Sequence, residues 1–269
     1  MKTITEKIGK NEVLLTGYLH DPHYSMPDYD KRPAIVILGG GGYEFVSFRE
    51  KEPVAGSFYM KGYHVFTLMY SVEEKAQDMQ PMIELAQTIK FLREKSEEWG
   101  ILPDKIATIG FSAGGHLAAC GGVMPDNALF MERSGFSNAD EIRANAMILS
   151  YPVITSGEFA HKGSIDRLMG DATDEKLREA FSLEKNVTEK TPPTFLWHAA
   201  DDTCVKVENS ILMASALSAN KIPFELHIFN EGGHGMSMCT AEVGHDKQHL
   251  RHWFELCTEW LNSTFDFRS

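Results

Sequence analysis

The stretch "KIATIGFSAGGHLAACGG", which begins at Lys105, sets the tightest limit on how this chain folds. A short apolar run, Lys105–Gly110, passes into a helix of small residues through Gly-Phe-Ser-Ala-Gly. An ordinary strand-to-helix turn is served by one Ser, Thr, Asp or Asn cap and needs no glycine on either side. Here Gly110 and Gly114 stand two residues before and two after Ser112. That symmetry implies a cramped backbone at Ser112, with no room for side chains beside it. Such a turn lifts a serine hydroxyl above the edge of a sheet. It also aims the N–H of Ala113, at the helix N-terminus, toward negative charge developing on a bound oxygen. A turn that only packs a helix closely on a strand carries the same five residues, so the rest of the chain has to decide.

The surrounding pattern is that of an α/β sheet. Two alternating runs, Thr3–Ile8 and Glu12–Leu19, read as a hairpin across Gly9-Lys10-Asn11. Six further strands are expected at Ala34–Leu38, His64–Met69, Lys105–Gly110, Ala146–Tyr151, Thr194–Ala199 and Phe224–Phe229. Several of these are apolar throughout, as strands buried on both faces must be. Helical periodicity fills Asp78–Trp99, Val205–Ala219 and Gln248–Leu261, with Gly100 and Pro223 at the stops. The expectation is one α/β domain over residues 1–269, with about eight mostly parallel strands and helices on both faces. Thr155–Pro193 is too long for a simple crossover. With short helices expected at Ile165–Met169 and Asp174–Phe181, it reads as a small cap over the C-terminal edge of the sheet.

A formal charge of −12 argues against nucleic acid or an anionic membrane as the main partner, since both call for a basic face. "MKTITEKIGK" places charges where a signal peptide needs an apolar run, and no segment reaches the apolar length of a membrane span. Four dispersed cysteines, with no CxxC pair, suit a reducing compartment. The expected setting is cytoplasmic, and homo-oligomer formation is left open.

Three further segments bear on chemistry. "VILGGGGYEF" follows an early strand, and Gly39 to Gly42 let the backbone turn its N–H groups onto a ligand. A phosphate loop wants Lys-Ser or Lys-Thr next, and Tyr43-Glu44 stand there instead. An oxyanion hole is the remaining use, with Gly41 and Gly42 as donors beside Ala113. "HAADDTCVKVENS" and "NEGGHGMSM" each follow a strand, at the same sheet edge as Ser112. His234, between glycines, is the candidate base. Of the two adjacent aspartates, Val205 at the start of the next helix favours Asp202 as the inward carboxylate, leaving Asp201 to the turn. His245, His249 and His252 recur at helical spacing, yet no carboxylate or cysteine completes a metal set, and none is expected.

With these segments in chain order, the sequence resembles the α/β-hydrolase superfamily, and more narrowly the bacterial acetyl esterase/lipase-type carboxylesterases, some of them xylan or sugar esterases. The resemblance runs over "GGGGYEFVSFREKEPVA", "KIATIGFSAGGHLAA", "LSYPVITSGEFAHKGS", "TPPTFLWHAADDTCVKVENS" and "FELHIFNEGGHGMS". It implies Ser112 as nucleophile, His234 as base and Asp202 as acid, acting without cofactor or metal on a small-molecule ester with a small acyl group such as acetyl. Two departures stand out. Gly39 occupies the position where the hormone-sensitive-lipase branch has His, and Lys206 stands where relatives commonly have Pro after the acid loop's Val. A serine peptidase or lactone hydrolase would use the same three side chains, and a non-catalytic binding protein would normally lack one of them.

Overall fold

In the computed structural model, residues 1–26 and 29–268 are described. Their strands are β1 (Lys2–Ile8), β2 (Val13–Leu19), β3 (Arg32–Leu38), β4 (His64–Leu68), β5 (Ile101–Phe111), β6 (Ala146–Ser150), β7 (Thr194–Ala199) and β8 (Phe224–Phe229). They form one eight-stranded sheet in the order β1-β2-β4-β3-β5-β6-β7-β8. The hairpin β1–β2 is antiparallel and β2 joins β4 antiparallel, whereas β3 to β8 run parallel. The helices are α1 (Glu52–Met60), α2 (Gln80–Glu94), the single turn α3 (Ser96–Trp99), α4 (Ala113–Val123), α5 (Ala128–Ser134), α6 (Lys162–Met169), α7 (Glu175–Ala180), α8 (Glu208–Ala219) and α9 (Gln248–Phe265).

Alternation along the strands divides the core into two layers. Ala34, Val36 and Leu38 of β3 pack on one face with Leu85 and Leu117 of α2 and α4 and Met213 of α8. Ile35 and Ile37 point the other way, into a layer closed by Phe58 of α1 and Trp253 and Leu261 of α9. Helices therefore cover both faces, which is why the central strands read as unbroken apolar runs.

Several boundaries differ from the sequence reading, each for a local reason. The expected Asp78–Trp99 helix is split at Lys95 (φ −88, ψ 2) into α2 and α3, and Gly100 ends α3 in the left-handed region at φ 64. Strand β5 starts at Ile101, earlier than the expected Lys105, because Ile101 pairs with Arg32 across a bulge before Ala34 meets Ile106. Helix α8 starts at Glu208 rather than Val205, since the backbone N–H of Val205 belongs to the preceding turn and donates to Asp202 Oδ1. Asp174, read as helical, lies outside α7 and caps it by accepting from Lys176 N–H.

The register sets the location of chemistry. Chain neighbours β4 and β5 lie on opposite sides of β3, so the sheet reverses its order there and opens a crevice at the strand C-termini. Leu38 pairs with Gly110, which brings the glycine loop and the Ser112 turn side by side. Ala199 pairs with Phe229, and the chain leaves both ends on that same edge.

Candidate active site

Ser112 joins β5 to α4 with φ 55 and ψ −120, a conformation that L-residues adopt only under constraint. Its flanking glycines are explained by close approach. A Cβ on Gly110 would stand 1.9 Å from Gly114 O, and one on Gly114 would stand 2.1 Å from Leu38 O. Backbone hydrogen bonds hold the turn from three directions. Ser112 N–H donates to Ser150 O (3.0 Å), and Ser112 O accepts from His116 N (3.1 Å) and Val153 N (3.0 Å).

The loop after β8 delivers His234 Nε2 to 2.7 Å from Ser112 Oγ. On the other side of the ring, Nδ1 lies 2.6 Å from Asp202 Oδ2. Asp202 has a fully buried side chain and its second oxygen, Oδ1, accepts from the N–H groups of Cys204 and Val205, both at 2.9 Å. Burial acts to raise its pKa. Hydrogen bonds from His198 and His234 outweigh that, and the carboxyl is held well below the usual carboxylate range. An acceptor-only carboxylate fixes the tautomer: Nδ1 carries the hydrogen, and Nε2 is left to accept from the serine hydroxyl. Asp201 is directed elsewhere. Its Oδ1 accepts from Gly232 and Gly233 N–H, both at 2.8 Å, and so pins the loop that carries His234.

The structure thus brings Ser112, Asp202 and His234 into one hydrogen-bonded line. Beside it, Gly41 and Gly42 line the same cleft. A Cβ on Gly41 (φ 123) would stand 2.1 Å from Phe45 O, so only glycine turns the loop this tightly. The N–H of Gly40 is taken by the buried Glu50, whose Oε2 accepts it at 2.7 Å. Among the described residues, the N–H groups of Gly41, Gly42 and Ala113 donate to no protein acceptor. Ala113 itself is wholly buried behind the serine turn.

Five neighbours, His198, Glu50, Tyr151, His161 and Arg167, have no counterpart in the sequence reading. His198 approaches Asp202 Oδ2 at 3.3 Å, its Nε2 also lying 2.9 Å from Val205 O. A histidine inside the apolar strand "TFLWHA" was the one available signal. Glu50 Oε1 accepts from Tyr151 O–H (2.7 Å), and that hydroxyl in turn accepts from Ser237 N–H (2.8 Å). The Tyr151 ring packs edge-on against His234, 5.0 Å between centroids. His161, at the start of α6, and Arg167 within it bring the 155–193 segment to the wall of the cleft, whose volume is about 500 Å³. An ion pair from Arg167 to Glu44 ties that segment to the residues after the glycine loop.

The three terminal histidines do not meet at one point: His245 Nε2 lies 3.2 Å from Arg49 Nη1, while His249 lies edge-on to both Phe229 and His252. All four cysteines are free thiols. Among the described residues, no helix is long and apolar enough to cross a membrane.

Residues 23–217, most of the chain, match the BD-FAE family. The chain belongs to the BD-FAE family. Its sheet order and solved relatives make this BD-FAE member an α/β hydrolase in fold. It is 36% identical over 85% of its length to endo-1,4-beta-xylanase B of Butyrivibrio fibrisolvens, covering 35% of that protein. It is 30% identical over 86% of its length to an acetylxylan esterase of Xylanibacter ruminicola, covering 47% of it. The chain therefore spans less than half of each of these two curated relatives. A solved structure of similar size, the acetyl ester-xyloside bifunctional hydrolase of Caldicellulosiruptor lactoaceticus, superposes with a TM-score of 0.84 at 32% identity, covering 100% of this chain and 97% of the other.

Proposed function

We propose that this chain is a serine carboxylic ester hydrolase for small acyl esters, acetylated sugars among them, working through an acyl-enzyme. The observation that carries the reading is the unbroken line from Asp202 through His234 to Ser112 Oγ, at 2.6 and 2.7 Å, beside backbone N–H groups that have no protein acceptor among the described residues. His234 Nε2 takes the serine proton as Oγ attacks the ester carbonyl carbon. Negative charge gathers on the carbonyl oxygen, where the N–H groups of Gly41, Gly42 and Ala113 are the available donors. The imidazolium then protonates the leaving alkoxide as the C–O bond breaks. Water, deprotonated by the same nitrogen, attacks the acyl-enzyme, and the returning proton restores Ser112 as the acid departs. Asp202 stays ionised throughout, holding the ring and stabilising its positive form.

Relatives named for acetylxylan and acetyl ester hydrolysis support the acetyl side of the reading. The test is Ser112→Ala. It should keep the fold and lower turnover of 4-nitrophenyl acetate by about 10⁴- to 10⁶-fold. It should also abolish labelling by a fluorophosphonate probe. Near-normal turnover in the purified variant would overturn the mechanism.

A further inference from the structure

His161 sits in the cleft for a reason that the reaction above does not use. Its ring caps α6: Nδ1 accepts from the backbone N–H of Ser164 at 3.3 Å, and Ser164 Oγ lies 2.8 Å from the same nitrogen. A backbone N–H can only donate, so Nδ1 is the acceptor nitrogen and the neutral ring carries its hydrogen on Nε2. Both hydrogen bonds of this side chain run through Nδ1, which leaves the Nε2–H with no protein acceptor among the described residues. The ring lines the same cleft as Ser112 and His234, and its Cε1 lies 3.8 Å from where a Cβ on Gly42 would stand. Burial, with the neighbouring His234 and Arg167 charges, moves its pKa down, so this is a neutral donor at neutral pH rather than a cation. Arg167, on the same helix and also on the cleft wall, is already engaged by Glu44 and by Gly163 O.

A donor on the wall of a cleft loses its water when substrate enters. Leaving it unpaired weakens binding unless the substrate supplies an acceptor. An acetyl methyl offers none, and neither does the hydrocarbon part of an alkyl alcohol; on the reading above, the ester carbonyl oxygen is met by the N–H groups of Gly41, Gly42 and Ala113. A hydroxyl or ring oxygen next to the ester bond does offer one. On the esterase reading above, we infer that His161 is a specificity-determining residue whose Nε2–H donates to an oxygen on the alcohol half of the substrate. The alcohol is then a sugar or other polyol.

The test compares kcat/KM for a mono-O-acetylated methyl xyloside, with a free hydroxyl beside the ester, and for cyclohexyl acetate, a ring of the same size without oxygens. Wild-type protein should favour the xyloside acetate. His161→Ser keeps a strong helix cap with a side chain too short to carry a donor into the cleft. It should lower the xyloside-to-cyclohexyl ratio by about 3- to 30-fold. A ratio unmoved by the substitution, or an equal fall on both esters, overturns the inference and leaves the esterase reading standing. A wild-type preference for cyclohexyl acetate does the same without reliance on any variant. A wild-type protein that hydrolyses neither ester overturns both.

Discussion

Replacing Asp202 by Asn tests the site at the atom that controls its tautomer. The two oxygens of Asp202 have different duties: Oδ1 accepts from Cys204 and Val205 N–H, and Oδ2 accepts from His234. An asparagine has one oxygen to offer. The two backbone N–H groups cannot turn away, so the oxygen stays with them and the amide NH₂ faces His234. Nδ1 must then accept, its hydrogen moves to Nε2, and the ring presents a donor to Ser112 Oγ where an acceptor is needed. His198, 3.3 Å from Oδ2, would face the same NH₂ and reinforce the loss. Activity on a short ester at neutral pH should fall on the order of 10⁴-fold, the scale of a triad acid turned to amide. At about 1.4 kcal/mol per tenfold that is roughly 5 kcal/mol of transition-state stabilisation. Asp201→Asn is the control, because its remaining oxygen can still accept from Gly232 and Gly233 N–H. It should stay within about tenfold of wild type, on the scale of a lost or weakened turn contact. The assay is kcat/KM of both variants on 4-nitrophenyl acetate, with circular dichroism to show that each is folded. A crippled Asp201→Asn beside a near-normal Asp202→Asn would refute the argument.

Two other outcomes follow from the same geometry. Acetyl and other short acyl esters should be preferred to esters of about eight carbons, because each buried CH₂ returns only ~0.8 kcal/mol and needs an enclosed apolar slot. Phe45 and Phe48 at the cleft are 57% and 69% exposed and enclose none; a steady rise of kcat/KM with chain length would contradict this. Stability should fall as pH drops from about 6.5 toward 4, since burial pushes His64 and His116 down to about 4. In that interval the unfolded chain binds protons that the folded chain refuses. The stability is full above the unfolded value and lost on descent through the folded one, by up to about 3 kcal/mol per histidine. Thermal melts across that interval should show a flatter pH slope for His116→Phe, and an unchanged slope would remove His116 from the account.

The fold was legible because its signals are local: alternation marks the hairpin, and apolar runs mark the parallel strands. Helix α1 escaped the reading because Pro53, Gly56 and Ser57 break up its periodicity. The short α5, capped by Asn127, is similarly too brief to register a period. At the candidate site, the glycine settings singled out Ser112 and His234, and Val205 pointed to Asp202; the structure brings the three side chains together. The structure shows that Val205 acts through its backbone N–H, not its apolar side chain. Glu50, Tyr151 and His161 could not be read. Glu50 meets Tyr151 across 101 residues of chain, and no spacing rule reaches that far.

The buried string from Gly40 N–H through Glu50 and Tyr151 to Ser237 N–H joins two loops that leave the sheet from opposite halves of the chain. Recombination between relatives would have to respect it. A chimera taking residues 39–50 from one parent and 230–239 from another inherits half of a hydrogen-bonded pair of loops unless Tyr151, on a third segment, still matches both. Crossover points that keep 39–50, 151 and 230–239 from one parent should therefore yield more active hybrids than any that separate them. The indivisible unit of inheritance at this site is a set of three distant segments, not one contiguous motif.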